Sequence, residues 1–254
     1  MRKAGWMQKV LTVAAAMLLI VTVAKMPQGE ANANAYAYAY ANVKFNANAN
    51  AVAMGQIIKS DMEKSTAAEP ENVLDKAVET ASAWAQEDVK SAILQGLTTN
   101  SVLGSFQQPI TRQHFAGIVV KLMEALTGEK AEPITVNPFI DTDDPDVLKA
   151  YALSVVRGVN DDKFDPQAKV SRQEISVMLY RVFHLTGKFP QGASQTVVFS
   201  DEGKIASWAA DAVSYIASAG IVQGKGNGIF DPLGSATREE AIVLIKRCYT
   251  AAAE

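Results

Sequence analysis

The sequence predicts an all-α protein made of three tandem helix-loop-helix copies. Three observations carry that expectation. Segments 96–106 (GLTTNSVLGSF), 154–164 (SVVRGVNDDKF) and 220–230 (GIVQGKGNGIF) align without gaps, and each ends in phenylalanine. Each is followed by a Thr/Ser-Arg pair: Thr111-Arg112, Ser171-Arg172 and Thr237-Arg238, with the arginines 60 and then 66 residues apart. Each pair opens a stretch with a broad apolar stripe at helical spacing: FAGIVVKLMEAL, ISVMLYRVFHL and AIVLIKRCYTA.

The first helix of each copy is expected over 82–95, 146–157 and 207–219. In the last of these, Trp208, Ala212, Tyr215 and Ile216 share one face. Glycines follow, and the loop phenylalanine is expected to fill the space between helices. Pro109, Pro166 and Pro232 stiffen the approach to the second helix. That helix starts at the hydroxyl residue. Ser171 with Glu174, and Thr237 with Glu240, are capping boxes, in which the hydroxyl accepts from the N3 amide and the carboxylate returns to the cap amide. Thr111 is followed by His114 instead, so the first cap is weaker by a few tenths to about 1 kcal/mol. One such helical hairpin cannot bury its own stripe, whereas three can share a core. A closed three-part bundle and an open solenoid both satisfy the pattern. In a closed bundle the clefts between copies are near-equivalent sites.

The copies differ in detail. Trp84 and Trp208 lie twelve residues ahead of Gly96 and Gly220, but copy two has Thr142 at that place. Copies two and three open with Phe-x-Asp, at Phe139 to Asp141 and Phe199 to Asp201. From the loop phenylalanine to the arginine the spacing is 8 residues in copies two and three and 6 in copy one.

Ahead of the repeats, residues 1–35 have the order of features of a secretory signal peptide. Arg2, Lys3 and Lys9 are followed by 15 apolar residues over 10–24 and then by Ala-x-Ala sites at 31–33 and 33–35. A retained anchor is the alternative, but the run is short of the ~20 residues of a span, and none is expected after cleavage. Residues 36–74 read as a tether, with alanine alternating with asparagine or tyrosine, including Tyr36, Tyr38 and Tyr40. Alanine makes too thin a face for a strand here. The domain expectation is therefore a signal (1–35), a tether (36–74) and repeats at 75–127, 138–187 and 198–250.

Composition excludes several classes. Without residues 1–35 the chain keeps 20 basic and 26 acidic residues, so its net charge moves from −3 to −6. That excludes nucleic-acid binding by bulk charge, and no basic stripe supplies it locally. The lone Cys248 sits in an apolar helical pattern and reads as a small buried hydrophobe, unable to form a disulfide within the chain. Two histidines, His114 and His184, are too few for most metal sites. The acid runs at 141–146 and 161–165 do not follow a calcium loop. No nucleophile-elbow, zinc-protease or P-loop pattern occurs, and no cofactor is implied.

Two roles are open for the repeated residues. Each arginine offers a planar fork that fits a carboxylate, or it pairs with a neighbouring acid and braces the loop. Each tryptophan packs in the core, or it stacks on a sugar.

The stretches WAADAVSYIASAGIVQGKGNGIFDPLGSATREEA (208–241) and VRGVNDDKFDPQAKVSRQEI (156–175), preceded by Phe139-Ile140-Asp141, carry a family resemblance. With the weaker WAQEDVKSAILQGLTTN (84–100) and SFQQPITRQHF (105–115), they resemble three tandem S-layer homology domains over about 70% of the chain. The resemblance implies a pseudo-threefold, three-pronged spindle around a central helical bundle. It implies non-covalent anchoring of an exported protein to the bacterial cell wall or cell surface, by a pyruvylated secondary cell-wall polysaccharide held in grooves between prongs. The groove arginines would be Arg112, Arg172 and Arg238, meeting the ketal carboxylate. Asp141, Asp201, Trp84 and Trp208 would contribute, and Gly158 and Gly224 would let the sugar approach. Copy one has Asn100 at the glycine position, so copy three is the most complete. The family carries no catalysis, and the tether could hold other surface proteins. The alternatives are a structural or adaptor surface-coat protein with degenerate grooves, and a wall-active glycoside hydrolase or its accessory subunit.

Overall fold

The computed structural model describes residues 70–190 and 197–253. The expected signal peptide and residues 36–69 of the tether lie outside the described residues. The chain divides into two compact units, one ending at Gly96 and the other running from Leu97 onward.

In the first unit, α1 (Pro70–Val78) packs against α2 (Gln86–Leu94). Pro70 at the start of α1 suits a first turn, where an amide hydrogen has no helical partner. Residues 70–74, expected within the tether, are helical, and Leu74, Ala77 and Val78 are buried. An ion pair of 2.6 Å joins Lys90 to Asp75.

The second unit contains α3 (Arg112–Thr127), α4 (Pro145–Ala152), α5 (Arg172–Thr186), α6 (Ala210–Ser218) and α7 (Arg238–Ala253). The first helices are shorter than their apolar spacing predicts. Helix α4 stops at Ala152 rather than 157, and residues 207–209 form a 3-10 turn ahead of α6. Gly96, Ser154 and Gly220 close these helices at φ of 69°, 61° and 70°, so a serine takes the left-handed position that glycine fills in the other copies. Among the described residues there is no strand.

Long helices α3, α5 and α7 each contact the other two. Between them Ile118, Leu122, Ile175, Leu179, Ile242 and Ile245 are fully buried, each contributing about 1.5–3 kcal/mol. Cys248 is buried in the same helix row, and burial pushes its thiol pKa far up. The copies are not self-contained hairpins. The main partner of α4 is α3 of the preceding copy, and that of α6 is α5. Helices α4 and α6 thus bury their stripes against the second helix of the preceding copy.

A ring of backbone hydrogen bonds closes the arrangement. Val170 N–H donates to Ile110 O (3.2 Å), Ala236 N–H to Val170 O (3.4 Å), and Ile110 N–H to Ala236 O (2.9 Å). All three residues are fully buried. An open solenoid leaves its end copies unpaired, so this cycle decides for closure within the second unit.

Candidate functional site

The ring sets where each second helix begins. In every copy the first two amides of that helix donate to the loop of the next copy. Arg112 and Gln113 reach Ala168 O and Pro166 O; Arg172 and Gln173 reach Gly234 O and Pro232 O; Arg238 and Glu239 reach Gln108 O and Phe106 O, all at 2.9–3.1 Å. The third amide goes to the cap hydroxyl: His114 to Thr111, Glu174 to Ser171 and Glu240 to Thr237. Glu174 and Glu240 return to the cap amides at 2.8 Å, completing two capping boxes. These helix N-termini therefore have no free amides for an anion, and side chains must supply any donors.

This pairing corrects the alignment of copy one. Pro166 and Pro232 stand where Phe106 stands, so Phe164 and Phe230 correspond to Gly104. Ser105, Asp165 and Asp231 agree, with φ of 47°, 57° and 58°. The two missing residues lie inside the first loop. Phe106 is buried two residues later than its counterparts.

Each arginine faces the next copy. At the junction of copies one and two, Arg112 donates from Nε to Phe164 O (2.9 Å), from Nη1 to Glu174 (2.9 Å) and from Nη2 to Arg157 O (3.0 Å). Its guanidinium lies 4.8 Å from the Phe164 ring centre. Asp141 accepts from the amides of Phe164 and Asp165 at 2.9 and 2.8 Å. Arginine and aspartate thus grip the two ends of one loop residue.

The junction of copies two and three repeats this. Arg172, only 8% exposed, donates from Nε to Phe230 O (2.7 Å) and lies 3.9 Å from Glu240. Asp201 accepts from the amides of Phe230 and Asp231, both at 2.8 Å. Burial lowers the Arg172 pKa against the opposing pull of Glu240, Asp231 and Asp201. Asp201 and Arg172 therefore belong to one junction although they come from different copies. The full residue set of copy three is split between two junctions.

At the junction of copies three and one, Arg238 donates from Nη1 to Gly104 O (3.1 Å). Among the described residues it meets neither an aspartate grip nor a phenylalanine ring, and His114 occupies the glutamate position. Burial, then Arg238, hold the His114 imidazole below its usual pKa, against Asp144 at the N-cap of α4.

The aspartate grips make stability depend on pH. Donation by Phe164 N–H leads in holding Asp141 below the usual carboxylate value. Burial opposes ionisation of Asp201, but donation by Phe230 and Asp231 outweighs it. The folded carboxyls lie below the unfolded value near 3.8, so their stabilisation is present above that pH and is lost as pH falls through the lowered values. Acid unfolding followed by circular dichroism is expected to flatten below about pH 4 in Asp201→Asn.

Gly158 and Gly224 serve the loop itself. A Cβ at Gly158 would lie 2.5 Å from Asn160 O and 2.7 Å from Lys163 O. One at Gly224, where φ is +77°, would lie 2.5 Å from Ile229 O. The turns close by Val159 N–H to Lys163 O and Lys225 N–H to Ile229 O, at 2.8 and 2.7 Å. Alanine at Gly224 combines this clash with a disfavoured φ, and a loss of about 2 kcal/mol or more is expected in denaturant titration.

Trp84 and Trp208 are not core residues: they are 56% and 60% exposed. Trp208 lies in the turn Ser207–Ala209, which packs on α5. Ala206 N–H donates to Gln173 Oε1 (3.0 Å), tying that turn to the first turn of α5 beside Arg172. Trp84 lies in the unit that ends at Gly96. The acids of 141–146 also have local work, since Asp144 caps α4 by accepting from Asp146 and Val147 at 2.9 and 3.2 Å. Among the described residues no helix is long and apolar enough to cross a membrane, and no three metal-binding side chains converge.

Known relatives share this part of the chain. An amylopullulanase of Thermoanaerobacterium thermosulfurigenes is 24% identical over 64% of this chain and 9% of its own. The exoglucanase XynX of Acetivibrio thermocellus is 25% identical over 69% of this chain and 17% of its own. A cell surface protein of Thermoanaerobacter kivui is 28% identical over 43% and 15% respectively. The chain thus spans less than a fifth of the length of these relatives. The family model that matches is the S-layer homology domain, and the chain carries S-layer homology sequence at residues 141–175 and 198–242, the stretches that hold both aspartate grips.

Proposed function

We propose that the repeats anchor the protein non-covalently at the cell wall by binding a wall polysaccharide, without chemical conversion of it. The observation that carries this reading is the exposure of Trp84 and Trp208, both more than half open at equivalent positions. An indole face left in solvent on a well-packed molecule fits the CH face of a sugar ring, and its N–H can reach a hydroxyl. The S-layer homology match supports association with the cell surface and cell wall in general. Wall-bound sugar fits local contacts better than bulk attraction, because the chain without residues 1–35 is acidic.

The finer reading is a pyruvylated secondary polymer whose ketal carboxylate meets a junction arginine. Guanidinium donors support it. Binding without catalysis is supported by the occupation of the carboxylates. Asp141, Asp201 and Asp144 accept from backbone amides, while Glu174 and Glu240 close capping boxes. Export by residues 1–35, and recruitment of other surface proteins through the tether, belong to the same proposal. Co-sedimentation of the full chain with purified walls tests it. Soluble polysaccharide released from those walls should displace the protein. Displacement by peptidoglycan fragments alone contradicts the ligand class.

A further inference from the structure

We infer that the cluster of Tyr180, His184, Phe189 and Tyr215 is a separate carbohydrate subsite, taking an uncharged sugar ring of the wall polysaccharide at a place remote from the arginine that opens α5. This rests on the wall-binding reading.

The cluster lies where the last turns of α5 meet α6. Tyr180 and His184 are 8 and 12 residues beyond Arg172, about 12 and 18 Å along the helix axis. The ring centres close a circuit: Tyr180 to His184 is 4.3 Å, His184 to Phe189 5.2 Å, Phe189 to Tyr215 6.2 Å and Tyr215 to Tyr180 5.3 Å. All four contacts are edge-on, at interplanar angles of 67–86°, so no ring face is taken up by a parallel partner within the circuit. Fully buried Phe183, 6.0 Å from Tyr215, ties the circuit to the core. His184 is exposed, Phe189 is 41% exposed, and both tyrosines are half-buried.

The fold does not require these rings. By their offsets from Arg112 and Ser154, the residues equivalent to Tyr180, His184 and Tyr215 are Val120, Glu124 and Lys149. There Glu124 pairs with Lys121 (3.3 Å) and Lys130 (2.9 Å), and Lys149 with Asp146 (3.2 Å). One helix junction thus carries ion pairs where the next carries an aromatic dish.

The polar atoms of the dish select its occupant. None of the four side chains is a carboxylate, an ammonium or a guanidinium. Among the described residues neither phenol oxygen and neither His184 ring nitrogen makes a hydrogen bond. Burial, then the Tyr180 phenol, push the Tyr215 pKa above its usual value, so this hydroxyl stays a donor at neutral pH. An apolar helix of a second chain would cover these groups and leave them unpaired, at a cost. A pyranose presents a CH face to the rings and hydroxyls to the phenols and the imidazole.

The probe is polysaccharide released from purified walls and freed of its acidic substituents, which offers no anion to an arginine. The full chain should bind it, and the imidazole NMR signals of His184 should move while those of His114 stay. Replacing His184 and Phe189 together by alanine removes the two most open rings. The melting temperature should stay within about 3 °C, and affinity for the neutral polymer should fall at least about tenfold. Followed at the His184 signals, Tyr215→Phe should weaken binding about threefold, because only a hydroxyl is lost. Unchanged affinity in the double variant, or unmoved His184 signals, would overturn the inference. A wild-type dimer in sedimentation velocity that the double variant lacks would also overturn it, by assigning the dish to a second copy. A chain that binds walls but not the neutral polymer overturns it and leaves wall binding standing. A chain that binds no wall fails both.

Discussion

Arg172→Ala is expected to lower the melting temperature by about 6–12 °C, corresponding to about 3 kcal/mol. The substitution strips the buried Phe230 carbonyl of its donor and leaves Glu240 and Asp201 without their cation. It also removes the guanidinium 5.3 Å from the Phe230 ring centre. Because Phe230 is fully buried, its loop cannot turn out to water without opening the core. Arg112→Ala should cost nearly as much, since all three of its donor nitrogens are engaged. Arg238→Ala should cost less than half, having one carbonyl to lose and no ion pair among the described residues. Thermal unfolding of the three variants checks this order. If Arg238→Ala is the least stable, the description of the third junction is wrong.

The second large effect is on binding. Replacing Trp84 and Trp208 together by alanine should leave stability within about 0.5 kcal/mol per site, because exposed side chains contribute little to folding. Wall affinity should fall by at least about thirtyfold for each indole, the loss expected of an aromatic anchor worth about 2 kcal/mol. Equilibrium binding to walls, paired with melting curves, separates the two quantities. Loss of both together would make the indoles structural.

The helical class, the triplication and the two complete capping boxes are legible in the sequence, because they depend on local patterns. The direction of pairing is not. Repetition shows that Arg172 and Arg238 are equivalent but not which loop each faces, and only the backbone ring shows Arg172 beside Asp201. The register of copy one is hidden for a related reason. A gapless match ending in Phe106 is persuasive, yet the loss of two residues before it shifts that phenylalanine to the proline position. The glycines have a structural reason of their own as well. At Gly158 and Gly224 a Cβ would meet the oxygens of Asn160, Lys163 and Ile229, so the loop itself requires glycine there. The second-helix N-termini are filled by carbonyls from about sixty residues further along or from the first copy. Such contacts are long-range and leave no trace in local spacing. What could have found the odd junction is His114, the one cap position without glutamate.

The central claim is that the folded repeats hold a non-peptidoglycan wall polysaccharide. The most direct measurement is the fraction of full-length chain that sediments with purified walls before and after that polymer is chemically stripped. Loss of sedimentation on stripping, and its return when the released polymer is recoupled to the walls, is the predicted result. Undiminished binding to stripped walls would contradict it.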